Sequence, residues 1–270
     1  MGRDPSNGTF YICAVSLVSK SFMPAIERFI PSWGSWMGKP DRSVEFESIA
    51  SKLHTAGLLL IIVAFALSSG LLLSHQSTET LQQFGNPRIY CISLASEWVM
   101  FAYLLLGLRR QVKTVRELID ESPWTVGRWT LYVAIAIGTA LVWMVCGFVI
   151  ATALRLGPHE LGNLRSLLPH STTERAIWLV LAASAGFCEE FVYRGYLQQQ
   201  FSRWTGRVYI GVVLQAVMYG VAHAALPWKL IVLVTCLGLL LGGVAAWRKS
   251  LVPGMLLHAS FDLLAGLLSR

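Results

Sequence analysis

Charge is what this 270-residue chain has least of: Asp, Glu, Lys and Arg make up 14% of it, against about 25% in an average soluble domain. So small a polar complement cannot wrap a water-soluble globule of this length. The cysteines are few and scattered. Cys13, Cys91, Cys146, Cys188 and Cys236 form no C-x-x-C, which argues against a disulfide framework or a zinc knuckle and leaves buried free thiols as the expectation. His159-Glu160 is followed by Asn163 rather than histidine, so the H-E-x-x-H of zincin metalloproteases is missing. Gly-x-Gly-Asp and Gly-x-Ser-Gly are absent as well. The net charge of +7 comes without a basic stripe interleaved with aromatics, so nucleic acid is not an expected partner. The apolar run Phe10–Val18 is short and has no small-residue cleavage site, so no signal peptide is expected. Internal repeats and low-complexity tracts are also lacking.

What remains is grease. Hydrophobic residues reach 54%, with 23 Gly and 10 Trp, and the mean hydropathy is +0.56. Apolar stretches near the roughly 20 residues that span a bilayer occur at Ala56–Leu73, Ile89–Leu108, Leu131–Leu154, Ala176–Leu197, Val208–Leu226, Leu230–Trp247 and Leu251–Leu268. The fold expected is an all-α, polytopic transmembrane helix bundle of seven spans. Residues 1–55 form an N-terminal cytoplasmic or interfacial segment and residues 56–270 the bundle. Phe10–Ile30 is interrupted by Lys20, Glu27 and Arg28, which suits an interfacial helix better than an eighth span. With the N-terminus in the cytoplasm, fifteen Lys and Arg fall on the cytoplasmic side, six on the other, and Arg194 inside a span. The positive-inside rule therefore predicts N-in, C-out. Arg109–Arg128 suits a cytoplasmic amphipathic helix ended by Pro123, and Arg155–Arg175 reads as an outside loop broken by Gly157, Pro158 and Pro169.

Ionisable groups inside a bilayer cost roughly 2.5–3.5 kcal/mol each, so they are rare without a use. The fourth stretch nevertheless contains Glu189, Glu190 and Arg194. Arg194 shares a helical face with Glu190 four residues earlier, which predicts one neutralised carboxylate and leaves Glu189 about 100° around the helix for chemistry. In the fifth stretch Gln215, Tyr219 and His223 form a polar stripe at helical spacing. In the seventh, His258 and Asp262 share a face. Glu189 lies 14 residues from Arg203, His223 lies 16 from Arg207 and Asp262 lies 13 from Lys249. These are depths of about 21, 24 and 20 Å, with His258 shallower at about 14 Å. Side chains at such similar heights can meet.

Glu-Glu-x-x-x-Arg, then aromatic-x-x-x-His, then His-x-x-x-Asp, in that order in late spans, resembles the CAAX prenyl endopeptidases and their bacterial relatives, the CPBP or Abi group. The likeness covers about Ala176 to Asp262, and the catalytic core is expected at about 176–268. It implies an intramembrane glutamic-type endopeptidase in which Glu189 and His223 activate a water for attack on a peptide carbonyl. His258 and Asp262 would stabilise the oxyanion or orient the substrate, with Glu190 and Arg194 holding the first glutamate. Tyr219 stands where such proteins usually have Phe, and Asp262 where Asn is common. An ionised Asp262 would repel an oxyanion, so it is either protonated or paired with His258. The partners implied are the bilayer and a membrane-associated protein or peptide, including lipidated C-termini. The membrane would be the cytoplasmic one in a bacterium and that of the endoplasmic reticulum in a eukaryote.

Three other readings stay open. No cofactor is expected, yet Glu189, His223 and His258 could ligate Zn²⁺ with an open water position. Cys188 and His223 could form a nucleophile pair. A transporter or a partner-binding immunity protein could also use buried Glu and His without catalysis.

Overall fold

The computed structural model describes residues 48–74, 87–108, 114–120 and 123–269; the predicted interfacial segment Phe10–Ile30 lies outside them. Among the described residues there is no strand, only an isolated antiparallel bridge between Asp120 and Ser250. The helices are α1 (Lys52–Ser74), α2 (Pro87–Leu108), α3 (Val115–Ile119), α4 (Val126–Ala153), α5 (Pro158–Ser166), α6 (Thr172–Glu189), a π-helical stretch π1 (Glu190–Leu197), α7 (Gln198–Thr205), α8 (Val208–Ala222), α9 (Trp228–Arg248) and α10 (Val252–Leu268).

All seven predicted stretches are helical, but they are not equal. Five helices are long and apolar enough to cross a membrane: α1, α2, α4, the continuous rod Thr172–Thr205 and α9. Helices α8 and α10 have 15 and 17 residues. At 1.5 Å per residue they reach about 22 and 26 Å, short of a hydrocarbon core of about 30 Å. Both are trimmed by local chemistry. Gly206, in the left-handed region at φ 66°, turns the chain between α7 and α8. At the other end α8 stops at Ala222 with His223 as its C-cap, four residues short of the Leu226 expected from hydropathy; the His223 and Ala224 N–H groups donate to the Gly220 and Val221 carbonyls. Before α10, Ser250 bridges to Asp120 and the Leu251 N–H donates to the Ile119 carbonyl at 2.8 Å.

The surface confirms the solvent. Leu141, Val142, Met144, Val145, Phe148 and Val149 of α4 are all exposed, a continuous apolar face that suits lipid and not water. The interior is organised around π1, whose eight residues are all buried. Phe191, Tyr193, Tyr196 and Leu197 pack there with Leu58 and Ile62 of α1 and Phe101 and Leu104 of α2. Phe187, Phe191 and Phe101 add edge and stacked ring contacts with centroids 5.1–6.2 Å apart. Gln200 fastens the chain ahead of α1: its carbonyl accepts from the Ile49 N–H at 2.7 Å and its amide donates to the Ala50 carbonyl at 2.7 Å.

Helices α6 and α10 meet closely at Gly186. A Cβ there would lie 2.8 Å from the Ala259 nitrogen and 2.7 Å from its Cβ, so only glycine permits the approach that brings Glu189 and Glu190 beside His258.

Two connections differ from expectation. The predicted outside loop holds α5, because Pro158 sits at its first turn, where its missing N–H costs nothing, and the Glu160 carboxylate accepts from the Gly157 N–H at 2.9 Å. The predicted cytoplasmic amphipathic helix is reduced, in its described part, to the five-residue α3. It ends at Asp120, before Pro123, since Asp120 is drawn into extended backbone by the bridge to Ser250 and by its contacts with Tyr132 and Arg128.

Candidate active site

The continuous rod delivers two adjacent carboxylates with different surroundings. Glu190 is fully buried, and its Oε1 lies 2.9 Å from Arg194 Nη1, the i, i+4 pair expected from the spacing. The Arg194 guanidinium in turn sits 4.3 Å from the Tyr219 ring centroid, a cation–π contact that helps a desolvated charge. The same Oε1 accepts from His258 Nδ1 at 3.1 Å. Glu190 is therefore more than a brace for its neighbour: it joins Arg194 to His258 across α10.

That bond sets the other face of the His258 ring. With Nδ1–H committed to Glu190, Nε2 looks at Glu189 Oε2 (3.7 Å), Asp262 Oδ2 (3.5 Å) and the Tyr219 hydroxyl (3.4 Å). As a donor Nε2 has two carboxylates to serve; as an acceptor it has the hydroxyl. The Glu189 carboxylate is partly exposed, at 17%, while that of Glu190 is not at all. Glu190 is thus paired with Arg194, as their spacing predicts, while Glu189 stands in the cavity wall.

His223 stands at the C-cap of α8 rather than inside the helix. Its Nδ1–H donates to the Tyr219 carbonyl at 2.9 Å, since a carbonyl can only accept, and this leaves Nε2 as the lone-pair nitrogen. The Tyr219 and His223 rings meet edge to face at 4.7 Å. The predicted polar stripe divides: Gln215 is fully buried and donates to the Gly238 carbonyl at 2.8 Å, so it ties α8 to α9 and takes no part in the site.

Glu189, Tyr219, His223, His258 and Asp262 all line one cavity of about 410 Å³, within the range of ligand-binding clefts. Its remaining wall is largely apolar, from Ile62 and Phe65 of α1 through Met100 of α2 to Leu237 of α9. Leu164 of α5 and Leu167 and Leu168 just after it cover one side. Trp178 lines the cavity and its indole N–H holds the Asp262 carbonyl at 2.6 Å. Cys188 is fully buried in the core around π1, not in the cavity wall, so the structure does not bring it together with His223 as a nucleophile pair. Among the described residues, no group of three His, Cys, Asp or Glu side chains is arranged to hold a metal ion.

One cavity residue was missed in the sequence: Glu97 of α2, 4% exposed. The signal was present, an acid inside an apolar stretch, but Glu97 has no ionisable neighbour at helical spacing to draw attention to it.

No curated protein and no solved structure matches the chain significantly. The family comparison does find a match, and it covers the segment that holds Glu189, Glu190, Arg194, His223, His258 and Asp262: residues 171–264, about a third of the chain, are similar to the family described as Rce1-like, Type II CAAX prenyl endopeptidase Rce1-like, and its long apolar helices make the chain an integral membrane protein.

Proposed function

We propose that this protein is an intramembrane endopeptidase that hydrolyses a peptide bond of a membrane-associated or lipidated protein by Glu/His-activated water. The observation that carries the reading is the convergence of Glu189, His223 and His258 from three elements on one cavity. A water between the Glu189 carboxylate and His223 Nε2 gives up a proton to Glu189 as its oxygen attacks the carbonyl carbon. The C–O bond forms, and the carbonyl oxygen takes the negative charge. His258 Nε2–H and the Tyr219 hydroxyl are the donors for that charge, and such preorganised donors contribute several kcal/mol to acyl transfer. Collapse breaks the C–N bond, and Glu189 returns its proton to the leaving amine. Asp262, 3.5 Å from His258 Nε2, orients that ring and favours its donor form, which answers the objection that a carboxylate here would repel an oxyanion. Glu190 and Arg194 are positioning residues that act through His258.

In this reading α8 and α10 complete a seven-span bundle with the N-terminus inside and the C-terminus outside. In such a bundle the shortness of α8 and α10 would leave His223 and His258 below the far surface of the membrane.

The purified protein, offered a broad peptide panel in detergent, is expected to cleave at least one peptide, and Glu189→Ala is expected to cleave none. Cleavage by both proteins, or by neither, counts against the reading. A chelator titration separates it from the Zn²⁺ alternative: activity that persists through chelation supports water activation by side chains alone.

A further inference from the structure

Four acidic residues are buried among the described residues: Glu97, Asp120, Glu174 and Glu190. Three are provided for. Asp120 takes the Tyr132 hydroxyl and faces Arg128 at 3.8 Å. Glu174 accepts from the backbone N–H groups of His170 and Ser171 at 2.7 and 3.0 Å. Glu190 has Arg194 and His258. Glu97 has the Ser184 hydroxyl as its hydrogen-bond partner and, among the described residues, no Lys or Arg paired with it, and its Oε2, like that of Glu190, is buried without a hydrogen-bond partner. An acid inside a membrane helix that served packing alone would be expected to carry a partner, because an unpaired one is costly. Glu97 instead stands in the wall of the catalytic cavity, on α2, outside the segment that matches the family.

The charge balance of that wall says what the missing partner is. Glu97, Glu189 and Asp262 line the cavity with His223 and His258, and no Lys or Arg does. Arg194, the nearest cation in sequence to the site, is fully buried against Glu190. A neutral amide N–H from a substrate would satisfy one lone pair of Glu97 but not the charge that the carboxylate carries when ionised. An ammonium or guanidinium satisfies both. The polar side of α2 continues from Glu97 through Ser96 and Ser93, which also line the cavity, so a long side chain reaching along this wall stays in polar contact while its methylene stem packs on Ile92 and Met100.

We propose that Glu97 is a specificity-determining residue: it receives the basic side chain, lysine or arginine, of a substrate peptide held in the cavity. The assignment rests on the peptidase reading for its substrate class, but its binding half can be measured without turnover.

Two peptides that differ only by lysine or norleucine at one position near the scissile bond are compared on the full-length protein in lipid nanodiscs. For the wild type, kcat/KM for the lysine peptide should exceed that for its norleucine twin by roughly tenfold or more, as a pocket group built for one partner discriminates against its absence. In Glu97→Gln, which is isosteric, the ratio should fall to near one. A ratio that survives in Glu97→Gln, or equal proportional losses on both peptides, overturns the proposal. Binding of the same pair to Glu189→Gln and to the Glu189→Gln/Glu97→Gln double variant, each checked for monodispersity, supplies the turnover-free arm. Selective lysine-peptide binding lost in the double variant supports the role of Glu97 even where the wild type cleaves nothing, which would sink the peptidase reading alone. Equal binding of both peptides to Glu189→Gln sinks the role of Glu97.

Discussion

Helix α4 and the rod α6–π1–α7 are both apolar helical segments long enough to cross a bilayer, and they solve opposite problems. The most apolar 18-residue stretch within Val126–Ala153 has a mean hydropathy of 2.5 and that within Thr172–Thr205 only 1.4. The first turns most of its large side chains outward, where lipid accepts them at no cost. The second packs against α2, α8 and α10 and exposes only Leu179, Val180 and Trp204 among its large apolar side chains. That is why the rod can hold Glu189, Glu190 and Arg194 and α4 holds no charge beyond Arg128 near its start. Glu190 and Arg194 of the rod stand where protein, not lipid, surrounds them.

The comparison breaks most sharply under truncation. Arg194→Ala strands the buried Glu190 carboxylate and should destabilise the protein by about 3–5 kcal/mol. Phe148→Ala, on the lipid face of α4, should change stability by about 0.5 kcal/mol or less. Thermal unfolding of both variants in one detergent reads the difference, and similar shifts would mean that the rod is no better enclosed than α4. A second contrast uses glycine. Gly186→Ala forces α6 away from α10 and should cost about 1–3 kcal/mol, with a loss of cleavage as Glu189 and His258 separate. Gly138 in α4 has open space around it, so Gly138→Ala should be neutral or stabilising by up to about 1 kcal/mol. Among the histidines, His258→Ala should lower cleavage by about 10²–10⁴-fold, whereas His159→Ala on α5 should leave it unchanged.

The smallest effect concerns the cover over the cavity. Lys229 Nζ lies 2.7 Å from Glu160 Oε1 and donates to the Arg155 carbonyl at 3.0 Å, pinning α5 to the start of α9. The Lys229 hydrogen bond, helped by the Gly157 N–H, holds the Glu160 carboxyl down at about 2 from an ordinary 4.5. Because the folded value is the lower one, the pinning is complete above pH 4.5 and fades as pH falls towards 2. Hydrogen exchange in Pro158–Ser166 should accelerate across that window in the wild type, and the acceleration should vanish in Glu160→Gln.

Much of this was legible in the residues. Apolar runs located every long helix, because hydrophobic length is a direct requirement of a bilayer. The spacing of Glu190 and Arg194 foretold their pairing and the availability of Glu189, since both side chains project from one turn. What stayed hidden depended on packing between elements. The π-helical geometry of Glu190–Leu197 arises where eight consecutive residues are enclosed, and no periodicity announces it. The bond from Glu190 to His258 joins residues 68 apart. Gln215 carried the same spacing signal as Tyr219 and His223, yet it satisfies a carbonyl of α9, because one polar stripe can face two different neighbours. Helix α5 was read as loop from its Gly and Pro, though Pro at a first turn starts a helix as readily as it ends one.

The account stands on Glu189 as the base that turns a cavity water into a nucleophile. Its most direct test is a terminal-peptide proteomic comparison of cells that carry either the wild type or Glu189→Gln at equal abundance. Shortened membrane-associated proteins found only with the wild type are the predicted result; identical sets of protein termini in the two strains would contradict it.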